Sequence, residues 1–427
     1  MRGFFVFLHR WAGLAMAAFL VVVGLTGSLI AFNTELERVF APRLFATPRI
    51  DAAPLGLAEL ASRAEAQIPQ GRVTAVTFAE PDQVSISFAP RRNPQTQEPY
   101  DLGFTEFFVD PWTGAELGRR KRADLSEGLV NLMPFIYDLH WRLMLGGVGQ
   151  LILGIVATIW TIDCFVAFYL TFPPTTKSFL RRWKPAWLIK RNAGFYRLNF
   201  DLHRAGGLWL WAALFVFAWS SVMMNLRPFV YEPVMRTLFD FRSSIDLYLS
   251  LPQRAYQPPA LDWRAAQDAG ERLVAEQSAL RGFTFGNALA LSYLEEVNAY
   301  IYEVRGSRDL FERSPKGGAT SVMFDGDDGH LIEASQPTGE HIGNTIESWL
   351  YALHMARILG MPYRLFVCAL GFALTALSAT GVYIWWKKRR ARRLHARRNP
   401  AEAPKSIVPR SSETQTSQAP DRQAQRP

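Results

Sequence analysis

Four histidines stand at matched places in two halves of the chain, and imidazole is the side chain here whose type and spacing invite chemistry. His9 lies in Leu8-His9-Arg10-Trp11-Ala12-Gly13-Leu14, and His203 in Leu202-His203-Arg204-Ala205-Gly206-Gly207-Leu208. Leu, His, Arg, Gly and Leu agree in register. His140 ends Tyr137-Asp138-Leu139-His140, with Leu145-Gly146 beyond it. His354 ends Tyr351-Ala352-Leu353-His354, with Leu359-Gly360 at the same offset. The intervals are 194 residues (203 − 9) and 214 residues (354 − 140). Self-similarity on this scale reads as a duplicated unit. A neutral imidazole binds metals through one ring nitrogen, and a facing pair is open to b-type haem.

The elements that must position these residues are apolar spans. Four segments are long enough to cross roughly 30 Å of hydrocarbon at about 1.5 Å per residue: about Phe4 to Phe32, Leu143 to Phe172, Gly206 to Leu226 and Pro362 to Trp386. The first is read as a retained anchor, because its apolar run outlasts a signal-peptide core and no A-x-A site follows it. Lys177, Arg181, Arg182, Lys184, Lys190, Arg191 and Arg197 crowd the loop between the second and third spans, and Lys387 to Arg393 follow the fourth. The positive-inside rule makes both stretches, and hence the N-terminus, cytoplasmic. The two long loops then face the periplasm of a bacterial inner membrane.

Each half has an even number of spans, so the halves insert in parallel about an axis along the membrane normal. His9 and His203 are then expected at one depth near the cytoplasmic face, and His140 and His354 at one depth near the periplasmic face. With neighbouring helices about 8–10 Å apart, opposite corners of a square bundle lie on the order of 13 Å apart, a gap that two imidazoles gripping a flat macrocycle can close. Two b haems are expected. Pairing His9 with His140 would bridge most of the bilayer and is rejected.

Arg10 and Arg204 follow the inner histidines directly, and Arg142 and Arg357 follow the outer ones by two and three positions. Guanidinium near an interface suits anionic propionates. Gly13, Gly206, Gly207, Gly146, Gly147 and Gly360 would let a ring approach the backbone. A single interfacial histidine is ordinarily just amphipathic; four at repeat-matched sites, among seven in the chain, argue for ligation. His330, His341 and His395 read as surface residues. Asp163 lies on the second span at the level of the inner histidines, where tuning a haem, relaying a proton and sitting among headgroups all remain open.

Composition sets the frame. The chain is 49% hydrophobic, 13% aromatic and 20% charged, with a mean hydropathy of zero, as apolar spans added to polar domains would average. The net charge of +9 sits beside the spans, which excludes nucleic acid as the partner and leaves the bilayer. Cys164 and Cys368 both fall in spans, so no disulfide, CxxC pair or CxxCH haem attachment is available.

The loops read as small α+β domains. Loop one has a helix near Leu55 to Ala66 and alternating runs at Val73 to Phe78, Val84 to Phe88 and Thr105 to Val109. Loop two repeats the order, with a helix near Trp263 to Glu276 and strands near Asn298 to Val304 and Ser321 to Phe324. The Asp325-Gly-Asp-Asp-Gly329 turn lacks the Gly and Glu of an EF-hand loop, having His330 and Gln336 at those positions. The expected fold is a membrane all-α four-helix bundle with two separate small α+β domains, a tandem duplication of helix, domain and helix. The segments are 1–33, 139–172, 203–226 and 354–388 for the spans, 34–138 and 227–353 for the outer domains, 173–202 for the basic loop and 389–427 for a disordered basic tail.

These residues resemble the PepSY-associated transmembrane family, which includes iron-regulated membrane proteins and periplasmic ferrisiderophore reductases. The resemblance spans roughly residues 1 to 393 and rests on the F-x-x-x-L-H-R-x-x-G-L opening at Phe4 and its L-H-R-x-x-G-L counterpart at Leu202, the Val109-Asp-Pro-Trp-Thr-Gly114 turn and the two Y-x-L-H elements. It implies PepSY-like outer domains and, for the reductase branch, two b haems carrying electrons to the periplasm, with His9, His140, His203 and His354 as ligands. No Rossmann-type glycine turn follows the fourth span, so the electron donor is expected to be a separate cytoplasmic reductase or a membrane quinol. The first functional reading is therefore an electron carrier that reduces a periplasmic acceptor, a ferric siderophore foremost. The alternative is a haem-free anchor whose outer domains bind a periplasmic partner. A transporter is disfavoured for want of interrupted helices.

Overall fold

The structure is a computed structural model that describes residues 1–49, 51–310 and 318–398. Helix α1 (Arg2–Ile30) leads through α2 (Asn33–Phe40) to α3 (Leu57–Gln67). Strands β1 (Gly71–Glu80), β2 (Gln83–Pro90), β3 (Glu106–Val109) and β4 (Glu116–Arg120) follow. The chain returns through α4 (Leu132–Arg142) and α5 (Gly146–Thr171), then α6 (Phe179–Trp183), α7 (Phe195–Trp209), α8 (Trp211–Asn225), α9 (Glu232–Leu238) and α10 (Ser244–Ser250). The second set is α11 (Trp263–Arg281), β5 (Phe285–Leu294), β6 (Ala299–Gly306), β7 (Thr320–Asp325), β8 (Leu331–Ser335), α12 (Ile342–His354) and α13 (Gly360–Arg398). Met1–Val382 form one compact unit. Of the second, Tyr383–Pro427, the described part is the end of α13, where Lys387 lies over Tyr383 and Trp386. Most of the expected tail, 399–427, lies outside the described residues, and 389–398 continue α13.

The separate outer domains of the expected fold do not exist. All eight strands form one antiparallel sheet in the order β4-β3-β2-β1-β5-β6-β7-β8. The halves meet at β1 and β5, where Ala75, Val76 and Thr77 face Ser292, Leu291 and Ala290. The physical reason is edge pairing: a four-stranded sheet standing alone exposes β1 as an unpaired edge, and abutting the two β1-type strands removes an edge from each half. Strand β5, which the sequence reading passed over, is the element that makes the seam. Arg72 and Glu295 close it with an ion pair, its Nε–Oε1 bond 2.7 Å long. On one face α3 and α11 cover the seam, and the Ala58 amide donates to the Gln267 carboxamide oxygen at 2.9 Å. Leu57, Leu60, Leu273, Val76, Leu291 and Tyr300 share a single core beneath them.

The bundle is corrected as well. Among the described residues three helices, α1, α5 and α13, are long and apolar enough to cross a membrane; α7 and α8 qualify only as a pair, bent by 68° at Leu210. Helix α7 carries Arg197, Asp201, His203 and Arg204, which hydrocarbon would strip of water. The bend separates this polar helix from the apolar α8. Both loops feed one sheet, so the chain between α5 and β5 returns to the sheet's side through this bent pair. His140 and His354 sit at the C-terminal ends of the short helices α4 and α12, not on long spans. Gly146 and Gly360 take left-handed φ values of 58° and 62° to start α5 and α13 after the breaks. Helices α1 and α13 touch backbone to backbone: a Cβ at Gly24 would stand 2.7 Å from the Gly371 oxygen, the close approach that small residues permit.

Alternation along β6 buries Tyr300, Tyr302 and Val304 against the helices and turns Glu303 to the opposite face. Burial, with Asp309 adding to it, pushes the Glu303 carboxyl up to about 7. A carboxyl raised above its unfolded value near 4.5 favours the folded state below that pH, and the contribution is lost as pH rises to about 7. Glu303→Gln is therefore expected to stabilise the outer sheet at pH 8 by on the order of 2 kcal/mol and to be neutral at pH 4. Denaturant unfolding at the two pH values checks this, and equal effects at both would exclude it.

Candidate functional site

The structure brings the four histidines together in two pairs. The rings of His9 on α1 and His203 on α7 have centroids 6.2 Å apart. Those of His140 on α4 and His354 on α12 are 6.3 Å apart. Two imidazoles bonded at roughly 2.0 Å to one metal, each nitrogen about 1.1 Å from its ring centre, would have centroids on the order of 6 Å apart.

Which nitrogen faces the partner follows from the hydrogen bonds. The Thr26 hydroxyl donates to the Val22 carbonyl at 2.7 Å and so accepts from His140 Nδ1 at 3.0 Å. The Ser220 hydroxyl donates to the Phe217 carbonyl and accepts from His354 Nδ1 at 2.7 Å. His203 Nδ1 donates to the Leu377 carbonyl at 3.0 Å, an oxygen that can only accept. His9 Nδ1 lies 3.0 and 2.9 Å from the two oxygens of Asp163. All four Nδ1 atoms are committed to neighbouring helices, which leaves Nε2 as the free lone pair on every ring. Locking one nitrogen so that the other can ligate is how outer partners orient metal-binding histidines.

The duplication extends to these partners. The 194-residue interval carries Thr26 onto Ser220, and the 214-residue interval carries Asp163 onto Leu377. Sequence reading missed Thr26, Ser220 and the Leu377 carbonyl. Small hydroxyl residues at matched positions in two apolar helices were the available signal for the first two; a backbone carbonyl leaves none.

A cavity of about 420 Å³ opens beside the sheet-side pair, lined by His140, His354, Leu20, Val156, Phe217 and Leu370 among other, largely apolar, residues. Tyr137, Tyr351, Arg357, Arg227 and Glu347 add polar groups to its wall. Gly27 approaches His140 so closely that a Cβ there would stand 2.9 Å from Cε1. Around the other pair, a Cβ at Gly13 or Gly207 would meet nothing within 4 Å, so space lies beside both inner helices.

Among the described residues, six buried side-chain polar atoms have no hydrogen-bond partner, and two are the Nε atoms of Arg10 and Arg204. These arginines occupy equivalent places in the repeat, and orphaned buried donors need an acceptor. Arg204 also donates through Nη2 to Asp201 at 2.8 Å, while Arg142 pairs with Asp138. His330 and His341 pair with Asp328 and Asp240 at the surface, and His395 is exposed. The donor set fits a bis-imidazole haem: paired imidazoles with ring centroids at metal-bridging separation, a largely apolar cavity and unsatisfied cationic donors.

A family model described as the PepSY-associated TM region matches residues 6–388, nearly the whole chain. The chain belongs to this family. No curated protein matches it. Within this PepSY-associated membrane protein, the motifs around all four histidines fall inside the matched region, as do both strand sets of the fused sheet.

Proposed function

We propose that this PepSY-associated membrane protein carries electrons across the bacterial inner membrane on two b-type haems and delivers them on the sheet side, with a ferric siderophore as the favoured acceptor. The observation that supports this best is the pair of histidine contacts, 6.2 and 6.3 Å between ring centroids, with every Nδ1 already engaged. A structural histidine needs neither a facing histidine nor a fixed tautomer, and the chain has both twice.

Haem b, when bound, supplies reversible one-electron chemistry. The chain's own residues do the rest. His9 with His203, and His140 with His354, would hold the two haems through their free ring nitrogens. Arg10 and Arg204 offer donors to propionates on the basic side, and Arg357 stands beside the sheet-side cavity for the same task. The largely apolar wall around His140 and His354 lowers the polarity around that pair. The basic residues of the loop at 173–202 support the reading of that side as cytoplasmic by the positive-inside rule. The donor is a cytoplasmic reductase or a quinol. On the sheet side, reduction of Fe(III) to Fe(II) weakens its hold by hard oxygen donors, which frees the metal for uptake.

The test is a spectrum of the detergent-purified protein, oxidised and dithionite-reduced, with a pyridine haemochrome count. About two b haems per chain are expected. A chain that stays colourless after expression with ample haem would overturn the proposal and leave a membrane-anchored binding protein.

A further inference from the structure

Three of the four histidine anchors are neutral and the fourth is charged. His140 and His354 both donate to neutral hydroxyls, Thr26 and Ser220, at equivalent positions. His203 donates to a neutral carbonyl, that of Leu377. Of these four, only His9 donates to a carboxylate, and Asp163 is a buried residue that offers it both oxygens. No cation shares that carboxylate: among the described residues its one ion-pair partner is His9. An acid in a membrane helix is costly to keep, and the equivalent place in the other half does without one.

We infer that Asp163 is a positioning residue that makes the His9–His203 site the more reducing of the two and thereby directs electrons towards the sheet. The inference rests on the haem reading proposed above. A carboxylate accepting from Nδ1 raises the basicity of Nε2 and places negative charge close to the bound metal. Both effects favour the ferric over the ferrous state and lower the potential of that site alone. The His140–His354 site, anchored only by neutral oxygens in an apolar cavity, keeps the higher potential. With both haems bound, the downhill direction for an electron would run from the His9–His203 site to the His140–His354 site. The direction is built into one side chain of a two-fold frame.

The experiment is a spectroelectrochemical titration of the full chain and of Asp163→Asn. Two midpoints are expected for the wild-type chain. In the variant the lower one should rise by at least a tenfold change in the reduced-to-oxidised ratio, about 59 mV for one electron. The upper midpoint should not move, which also reports that the variant is folded. Asp163→Glu, which keeps the charge, should restore the lower midpoint. Should Asp163→Asn fail to hold haem at that site, Asp163→Glu carries the test, and a midpoint risen to that of the other haem overturns the inference. Two haems with midpoints unmoved in Asp163→Asn would overturn the inference and leave the haem reading standing. No haem in the wild-type chain would overturn both.

Discussion

His140→Ala is expected to lose one of two haems, and His9→Ala the other. In the proposed arrangement each site has two protein ligands, so truncating one would leave a single metal–nitrogen bond. The cavity beside His140 and His354 is walled by Leu20, Val156, Phe217 and Leu370, and the nearest hydroxyls, Thr26 and Ser220, already donate to backbone carbonyls. Occupancy at the altered site should fall by about tenfold or more, the scale on which disturbed ligation changes affinity. The decisive comparison is between double variants. His140→Ala with His354→Ala removes two ligands of one site, so its haem content should match either single change. His140→Ala with His9→Ala strikes both sites and should leave the chain nearly colourless. Haemochrome counts read both results. If the second double variant kept one haem, the pairing seen in the ring distances would not be the ligating pairing. Non-additivity within a site and additivity between sites is the signature of two independent centres.

Leu291→Ala should destabilise both halves of the outer sheet at once. Leu291 is fully buried, pairs with Val76 across the seam and packs in the core that both covering helices share. Removing its side chain from a site that cannot readily collapse costs about 2–5 kcal/mol. Two separate domains would confine that loss to β5 to β8. A single sheet spreads it to β1 and β2, because opening the seam re-exposes the β1 edge and breaks the Arg72–Glu295 pair. Hydrogen exchange followed by mass spectrometry distinguishes the two. Amide protection should fall in peptides covering Gly71–Glu80 as well as Phe285–Leu294. Protection unchanged in the first peptide would mean that the halves fold independently despite their contact.

Several features of the molecule are legible in the amino-acid order alone. The apolar runs of α1, α5 and α13 declare themselves by length, since about 20 residues must be apolar to cross hydrocarbon. The duplication is visible because His9 and His203, and His140 and His354, sit in recurring local motifs. The family membership of residues 6–388 follows from those same motifs. Helix α11 and strands β1, β2, β6 and β7 were also readable, because their buried faces recur with the period of the local backbone.

Tertiary structure decided the rest. Strand β5 carries Gly286 and Asn287 within a mixed run, and only pairing with β1 shows that two expected domains are one sheet. The bend at Leu210 divides a stretch that a window of hydropathy reads as one run. The breaks after His140 and His354 run through left-handed φ values at Leu143, Met144 and Gly146 and at Ala356, Leu359 and Gly360, and they move both histidines off the long helices. Most of all, sequence placed Asp163 near the inner histidines but could not say what it touched. Its contact with His9 spans 154 positions along the chain, and the matching contact of His203 is to a backbone oxygen that every residue type possesses. A local pattern records what a residue is and its nearest neighbours; helix packing alone decides which distant group receives its proton.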